Sequence, residues 1–137
     1  MSSRSIPFFP YSELFCRDES ALLDLITGVC RRGAYILQDE CFEFESNLAK
    51  FMGVKHAIGV ANGTDAIIIG LRAVGIGVGD EVILPSHTYI ATAAAVHLVG
   101  AIPVLAECGS DHMLDAHDIE RRITSKTRAI IRVQING

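Results

Sequence analysis

The pattern of apolar and polar residues changes at Gly53. Before it, apolar residues recur at helical spacing and predict two helices. The first is expected to be capped at Asp18 and to stop at Gly33, and the second begins near Asp39. An irregular arm rich in proline and aromatic residues precedes them over 1–17. After Gly53, uniformly apolar runs alternate with helical ones, which is typical of strands covered on both faces.

This second part predicts an α/β fold. Strands are expected near 57–60, 81–84, 102–105 and 128–134, and helices near 64–74, 88–99 and 116–123. The alternation predicts a largely parallel sheet with right-handed crossovers, in three α/β/α layers. The helix over 64–74 is apolar nearly all round, so we expect it to be deeply packed.

The first strand leads into a candidate phosphate site. The run at 57–60 is followed by the turn pair Asn62-Gly63 and by Thr64, which is expected to cap the helix behind it. The first N–H groups of a helix have no acceptor within it and lie at the positive end of its dipole, so they bind phosphate readily. The spacing alone leaves open a phosphate cradle or an ordinary strand-to-helix turn.

A second loop, Pro85-Ser86-His87-Thr88-Tyr89, also follows the carboxyl end of a predicted strand. Ligands of open α/β sheets bind at that edge, so both loops are expected to face one pocket. One loop would hold the phosphate while Tyr89 presents an aromatic face. The alternative for Tyr89 is a core side chain with its hydroxyl hydrogen bonded.

Composition argues against two classes of partner. The 137 residues carry a net charge of −4 with both signs scattered along the chain, which does not favour a nucleic-acid surface. The stretch 82–106 holds no charged residue, but prolines and polar side chains leave no apolar span near the ~20 residues that a membrane helix needs.

The four cysteines show no zinc-like spacing, and the N-terminus shows no secretory signal, which favours a reducing cytoplasm.

Two further patterns fail as motifs. The glycines of 75–79 follow a predicted helix and precede a strand, which is the reverse of a dinucleotide fingerprint, so we interpret them as a helix stop and turn. Cys108, His112 and His117 lie close together, but no regular element sets a ligand geometry there. We therefore expect no metal site.

Six motifs in order resemble the DegT/DnrJ/EryC1/StrS sugar aminotransferases. They are Gly33–Gln38, Phe42-Glu43, Ala61–Ala66, Gly79–Thr92, Gly100–Val104 and Thr127–Ile131. The resemblance implies the aspartate aminotransferase fold and pyridoxal phosphate as the cofactor. Residues 54–137 would then be the first part of the large cofactor-binding domain, and 1–53 an N-terminal arm with outer helices.

The resemblance also assigns cofactor-binding residues by position. Gly63 and Thr64 match the pair whose backbone amides and hydroxyl hold the cofactor phosphate, and Tyr89 matches the aromatic residue that stacks on the ring. Asn62, in the same turn, stands where the family often has a small residue such as serine. Gln38 stands where it often has glycine. Both departures leave the substrate details open.

The activity that the resemblance implies is transfer of an amino group from an amino acid, with glutamate expected, to a nucleotide-linked keto sugar. A homodimer is implied too, and the aromatic arm supports it. In the family, the Schiff-base lysine and the carboxylate that pairs with the ring nitrogen come after the position of Gly137, and Lys50, Lys55 and Lys126 match no family lysine. We therefore expect no catalytic residue here, and an N-terminal part of a longer enzyme that is inactive alone. In the family, later strands lie beside the first strand of the sheet. Without them the first strand would lack its hydrogen-bonded neighbour, and the apolar helix over 64–74 would lose much of the surface that covers it.

Two alternatives remain at this point. One is a dehydratase that uses the same cofactor on a similar sugar, as relatives with histidine in place of the lysine do. The other is a noncatalytic α/β module that binds a phosphate or a partner chain.

Overall fold

A computed structural model describes residues 7–135, so expectations for residues 1–6 and for the last two residues lie outside it. The described residues form two compact units, one up to Gly59 and one from Val60. The division predicted after residue 53 stays a prediction. No helix in the described range has the length and apolar character that a bilayer crossing requires.

The first unit contains two helices, α1 (Tyr11–Arg32) and α2 (Asp39–Met52). The expectation of an irregular chain through residue 17, with a cap at Asp18, is wrong for this segment because α1 begins at Tyr11. Pro10 occupies the capping position and no proline follows it in the helix, so nothing breaks the helix earlier than Gly33. The predicted ends are confirmed: Gly33 and Gly53 both take the left-handed conformation that glycine adopts without steric cost.

No strand forms at 57–60, so that prediction is wrong among the described residues. A strand needs a neighbour to accept and donate its backbone hydrogen bonds, and no described strand lies beside this segment. The N–H of Gly59 instead donates to the Glu45 carboxylate of α2 at 2.6 Å. The segment is therefore extended and tied to a side chain.

The second unit is a three-stranded parallel sheet with helices between its strands. Its strands are β1 (Glu81–Pro85), β2 (Ile102–Ala106) and β3 (Thr127–Ile130), in the order β2-β1-β3. Its helices are α3 (Gly63–Ala73), α4 (Ala91–Leu98) and α5 (Ala116–Arg122). The crossovers through α4 and α5 run in opposite directions, and right-handed connections of that kind place the two helices on opposite faces. The predicted parallel α/β arrangement is confirmed, although β3 ends at Ile130 instead of 134.

The core of this unit is built around β1, whose last four residues are all buried. Leu71 and Ile76 pack there with residues of β1 and α4 and of the turn after α4, namely Val82, Leu84, Val96, Val99 and Ala101. The flanking strands are less covered, as the half-exposed Ile102 and Ile130 show. The uniformly apolar pattern therefore corresponds to two-sided burial only in the central strand.

Helix α3 is not deeply packed, which differs from the expectation based on its apolar pattern and agrees with the expected loss of cover in an N-terminal part of a longer enzyme. Leu71 is its one buried residue, while Ile69 is 52% exposed and Val74 just beyond the helix 73% exposed. An apolar helix of this kind needs cover on more than one face. Within the described residues its packing partners are α4 and the core side of β1, which leaves its other side uncovered.

Asp118 links the start of α5 to the end of β2. It is 4% exposed and accepts hydrogen bonds from the Glu107 N–H (2.7 Å), Arg121 Nη2 (2.8 Å) and Arg122 Nε (2.5 Å). The Glu107 N–H and then the two guanidinium groups hold the pKa of this carboxyl well below its usual range. The charged form of Asp118 is therefore the one that stabilises this contact.

We expect Asp118→Asn to lower the melting temperature of the complete protein at neutral pH. Because the folded-state pKa is depressed, the stabilisation is fully present above the unfolded-state value of about 4 and is lost as pH falls toward the folded-state pKa. The difference in melting temperature between wild type and variant should therefore narrow progressively as pH falls below about 4. Glu120→Gln, at an exposed acid of the same helix, is the control. A gap between wild type and Asp118→Asn that stays constant down to pH 2 would contradict this role.

Candidate functional site

The N-terminus of α3 is organised by Asn62. Its Oδ1 accepts from the Asp65 N–H at 2.9 Å, and its Nδ2 donates to the Asp65 carboxylate at 3.0 Å. Asn62 is thus the helix cap, and the prediction that Thr64 caps the helix is wrong. An amide side chain in extended backbone one residue before the helix reaches the third N–H, which a residue already inside the helix cannot do.

This capping leaves two backbone donors unused. The Asp65 N–H bonds the Asn62 side chain and the Ala66 N–H bonds the Asn62 carbonyl at 3.1 Å. The N–H groups of Gly63 and Thr64 have no acceptor among residues 7–135. A Cβ placed on Gly63 would meet no atom within 4 Å, so there is open space in front of the turn. Phosphate binding is favoured here by the two free N–H donors, by the positive end of the helix dipole and by the open space beside Gly63.

We expect Asn62→Ala to lower the free energy of unfolding by ~1 kcal/mol, the usual cost of losing a helix cap. Asn62→Ser keeps an acceptor for the Asp65 N–H and should lose only a fraction of that. Denaturant unfolding of the two variants in the complete protein measures the difference. Equal stability of the two variants would show that the Asn62 side chain does not cap α3.

The turn faces a groove of about 470 Å³ at the carboxyl edge of the sheet. Its walls come from the start of α3, the loop after β1, the first turn of α4 and the segment after β3. The lining residues are Asn62, Gly63, Thr64, Ile67, Thr88, Tyr89, Ala91, Thr92 and Val133. The structure therefore brings all four predicted site residues, Asn62, Gly63, Thr64 and Tyr89, to one groove.

Tyr89 lies on the surface of the groove with 79% of its area exposed. Among residues 7–135, Tyr89 is therefore not part of the core. The ring also borders a second groove of about 360 Å³, lined by Ser86, His87, Thr88 and Ile135. An exposed aromatic ring between two grooves has faces available for stacking.

Sequence reasoning missed several members of this site. Asp65 stands three residues after Asn62, the spacing of a helix capping box, and that signal could have identified the cap. Ile67 lies four residues after Gly63, on the same face of α3 as that glycine. Thr92 and Val133 carry no comparable signal, since only the packing of α4 and the course of the chain after β3 bring them to the groove.

Two kinds of chemical group, metal ligands and lysine side chains, bear on what the groove can do. No group of three or more His, Cys, Asp or Glu side chains is arranged to hold an ion between residues 7 and 135. Cys108 pairs through its backbone with Leu114, in a turn that precedes the Asp115 cap of α5. No lysine lines the groove.

Comparison with known families decides what kind of protein carries this groove. The model of the DegT/DnrJ/EryC1/StrS aminotransferase family matches residues 17–137. The chain belongs to this family.

Similarity extends over nearly the whole chain. It is 42% identical to a dTDP-3-amino-3,6-dideoxy-alpha-D-galactopyranose transaminase of Aneurinibacillus thermoaerophilus over 133 residues, which is 96% of this chain and 37% of that protein. DesV of S. venezuelae, solved in complex with a ketimine intermediate, superposes with a TM-score of 0.93 at 40% identity, over 97% of this chain and 36% of that chain. NtdA from Bacillus subtilis with bound cofactor PMP gives a TM-score of 0.91 at 32% identity, over 98% and 32%.

These similarities confirm the predicted fold class and the family resemblance. Membership of the DegT/DnrJ/EryC1/StrS family implies pyridoxal phosphate as the cofactor. The chain spans little more than a third of the length of the curated relative.

Proposed function

We propose that the complete protein is a pyridoxal-phosphate-dependent aminotransferase that moves an amino group from an amino acid, with glutamate as the expected donor, to a nucleotide-linked keto sugar. This chain would supply the phosphate and ring contacts of the cofactor site. The observation that carries the proposal is the groove in which the free N–H groups at the start of α3 meet the exposed ring of Tyr89.

The phosphate end of the groove suits a dianion. Gly63 and Thr64 would donate their backbone N–H groups and Thr64 also its hydroxyl, while Asn62 holds the turn in shape through Asp65. Cβ-free Gly63 permits close approach of the phosphate oxygens to the backbone. The nearby Asp65 carboxylate is partly offset because it accepts a hydrogen bond from the Asn62 amide.

Tyr89 lines the part of the groove in which the cofactor ring would lie. Stacking on its exposed face would hold the cofactor ring in one plane. Bound pyridoxal phosphate supplies an electron sink for the carbon that carries the amino group. We assign only binding and orientation to these residues, because a side chain that could carry the aldehyde, a lysine, is not among those lining the groove.

A homodimer and a cytoplasmic location are part of the same proposal. The homodimer rests on the family resemblance. The cytoplasmic location is supported by four cysteines that are unpaired in the structure, as is usual in a reducing compartment.

The test uses the complete protein, glutamate labelled at nitrogen and a panel of nucleotide-linked keto sugars. Addition of pyridoxal phosphate should produce a visible absorbance band, and the label should appear on the sugar. Loss of a hydroxyl from the sugar without uptake of label would favour the dehydratase. Absence of any cofactor band would contradict the proposal and favour a noncatalytic phosphate-binding module.

A further inference from the structure

Thr92 is an unusual residue for the wall of a groove because its side chain is buried. It is 5% exposed, and together with Asp118 it is one of two buried polar or charged residues in the described range. It is the second residue of α4, directly after the loop that carries Tyr89. Burying a hydroxyl costs free energy unless it is hydrogen bonded, so its partner is informative.

Thr92 makes one contact to the residue before Tyr89 and one to the backbone of Tyr89 itself. Its Oγ1 lies 3.3 Å from Oγ1 of Thr88, the residue before Tyr89. Its backbone N–H donates to the carbonyl of Tyr89 at 3.1 Å. At the other end of the loop, the Ser86 N–H donates to the Ala106 carbonyl of β2 at 2.8 Å. The backbone on either side of the ring is thus fixed to α4 and to the sheet.

The Tyr89 ring itself has no comparable restraint. It is largely exposed, and no hydrogen bond to its hydroxyl occurs within residues 7–135. The direction of such a ring depends on the backbone from which it projects and on the rotamers that this backbone allows. A contact that fixes the loop therefore lowers the ordering cost when a ligand stacks on the ring.

We propose that Thr92 is a positioning residue: its buried hydroxyl, acting through Thr88, holds the loop so that Tyr89 presents its ring to the groove beside Gly63 and Thr64. The inference rests on the proposed function, since the group that stacks on Tyr89 is taken to be the cofactor ring. Thr92 itself contributes orientation and does not take part in the chemistry.

The test compares Thr92→Val, Thr92→Ser, Thr88→Val and the Thr88→Val/Thr92→Val double variant in the complete protein. Valine keeps the shape of threonine and removes the hydroxyl, whereas serine keeps the hydroxyl. Pyridoxal phosphate affinity should fall about five- to tenfold in Thr92→Val, because the loop that the hydrogen bond no longer holds must then be ordered when the cofactor binds, and stay within about twofold of wild type in Thr92→Ser. The double variant should lose no more than Thr92→Val alone, because the two hydroxyls form one contact.

A spectroscopic readout separates orientation from general loosening. At saturating cofactor, the circular dichroism of the cofactor's visible band, per bound molecule, should decrease in Thr92→Val and recover in Thr92→Ser. Wild-type values in Thr92→Val, or additive losses in the double variant, would overturn the positioning role while leaving the proposed function intact. A wild-type protein without a cofactor band would overturn both. Should Thr92→Val fail to fold, Thr88→Val removes the same contact from the half-exposed loop and decides the question by the same two measurements.

Discussion

Thr64→Glu is expected to lower the affinity of the complete protein for pyridoxal phosphate about a hundredfold or more while leaving its thermal stability unchanged or slightly higher. The substitution places a carboxylate where the phosphate would bind. Two unit charges 4 Å apart near a protein surface repel by about 4 kcal/mol, and part of this is relieved when the glutamate side chain turns away. The same carboxylate lies at the positive end of the α3 dipole, where a negative charge is favourable by ~0.3–1 kcal/mol.

This variant is informative because its cofactor affinity is expected to fall while its thermal stability is unchanged or rises. Equilibrium dialysis with pyridoxal phosphate measures affinity, and thermal unfolding without cofactor measures stability. His117→Glu adds an acid to the first turn of α5, away from the groove, and should leave affinity as in wild type. Unchanged affinity in Thr64→Glu would mean that the phosphate does not bind at the start of α3.

Tyr89→Ala is expected to weaken cofactor binding about tenfold. An aromatic pair contributes ~0.5–1.5 kcal/mol beyond the area it buries, and removal of the ring also loses that area. Because the Tyr89 side chain is largely exposed and outside the core, the fold should tolerate its removal. Titration of the cofactor's visible band measures the change.

Tyr89→Phe is the matched control, since it keeps the aromatic face and removes only the hydroxyl. It should bind the cofactor within about threefold of wild type, as stacking needs the ring alone. If the phenylalanine variant lost as much affinity as the alanine variant, the hydroxyl and not stacking would be the contact that matters.

The order of helices and strands was readable from the sequence because the relevant signals are local. Gly33 and Gly53 mark helix ends through backbone conformations that other residues adopt at a cost. The apolar run at 81–84 predicts a strand by composition alone, and it became the buried central strand. Failures arose where the outcome depends on distant partners: the segment at 57–60 has strand-like residues but no described neighbour to pair with.

The site was predictable to a lesser degree. Asn62, Gly63, Thr64 and Tyr89 were predicted because they follow predicted strands and because the family resemblance points to them, and the structure places all four at one groove. The prediction gave the capping role to Thr64 because hydroxyl side chains are good helix caps. The helix begins at Gly63, so the capping position falls on Asn62 and Thr64 already lies inside the helix. Thr92 could not be found from its sequence position, because its burial and its bond to Thr88 follow from the packing of α4 against the sheet and α3.

A crystal structure of the complete protein with pyridoxal phosphate tests the central claim most directly. The account predicts phosphate oxygens within about 2.7–3.2 Å of the Gly63 and Thr64 nitrogens, the ordinary range of an N–H···O hydrogen bond, with the cofactor ring stacked on Tyr89. A phosphate bound elsewhere, with the two N–H groups facing solvent, would contradict it.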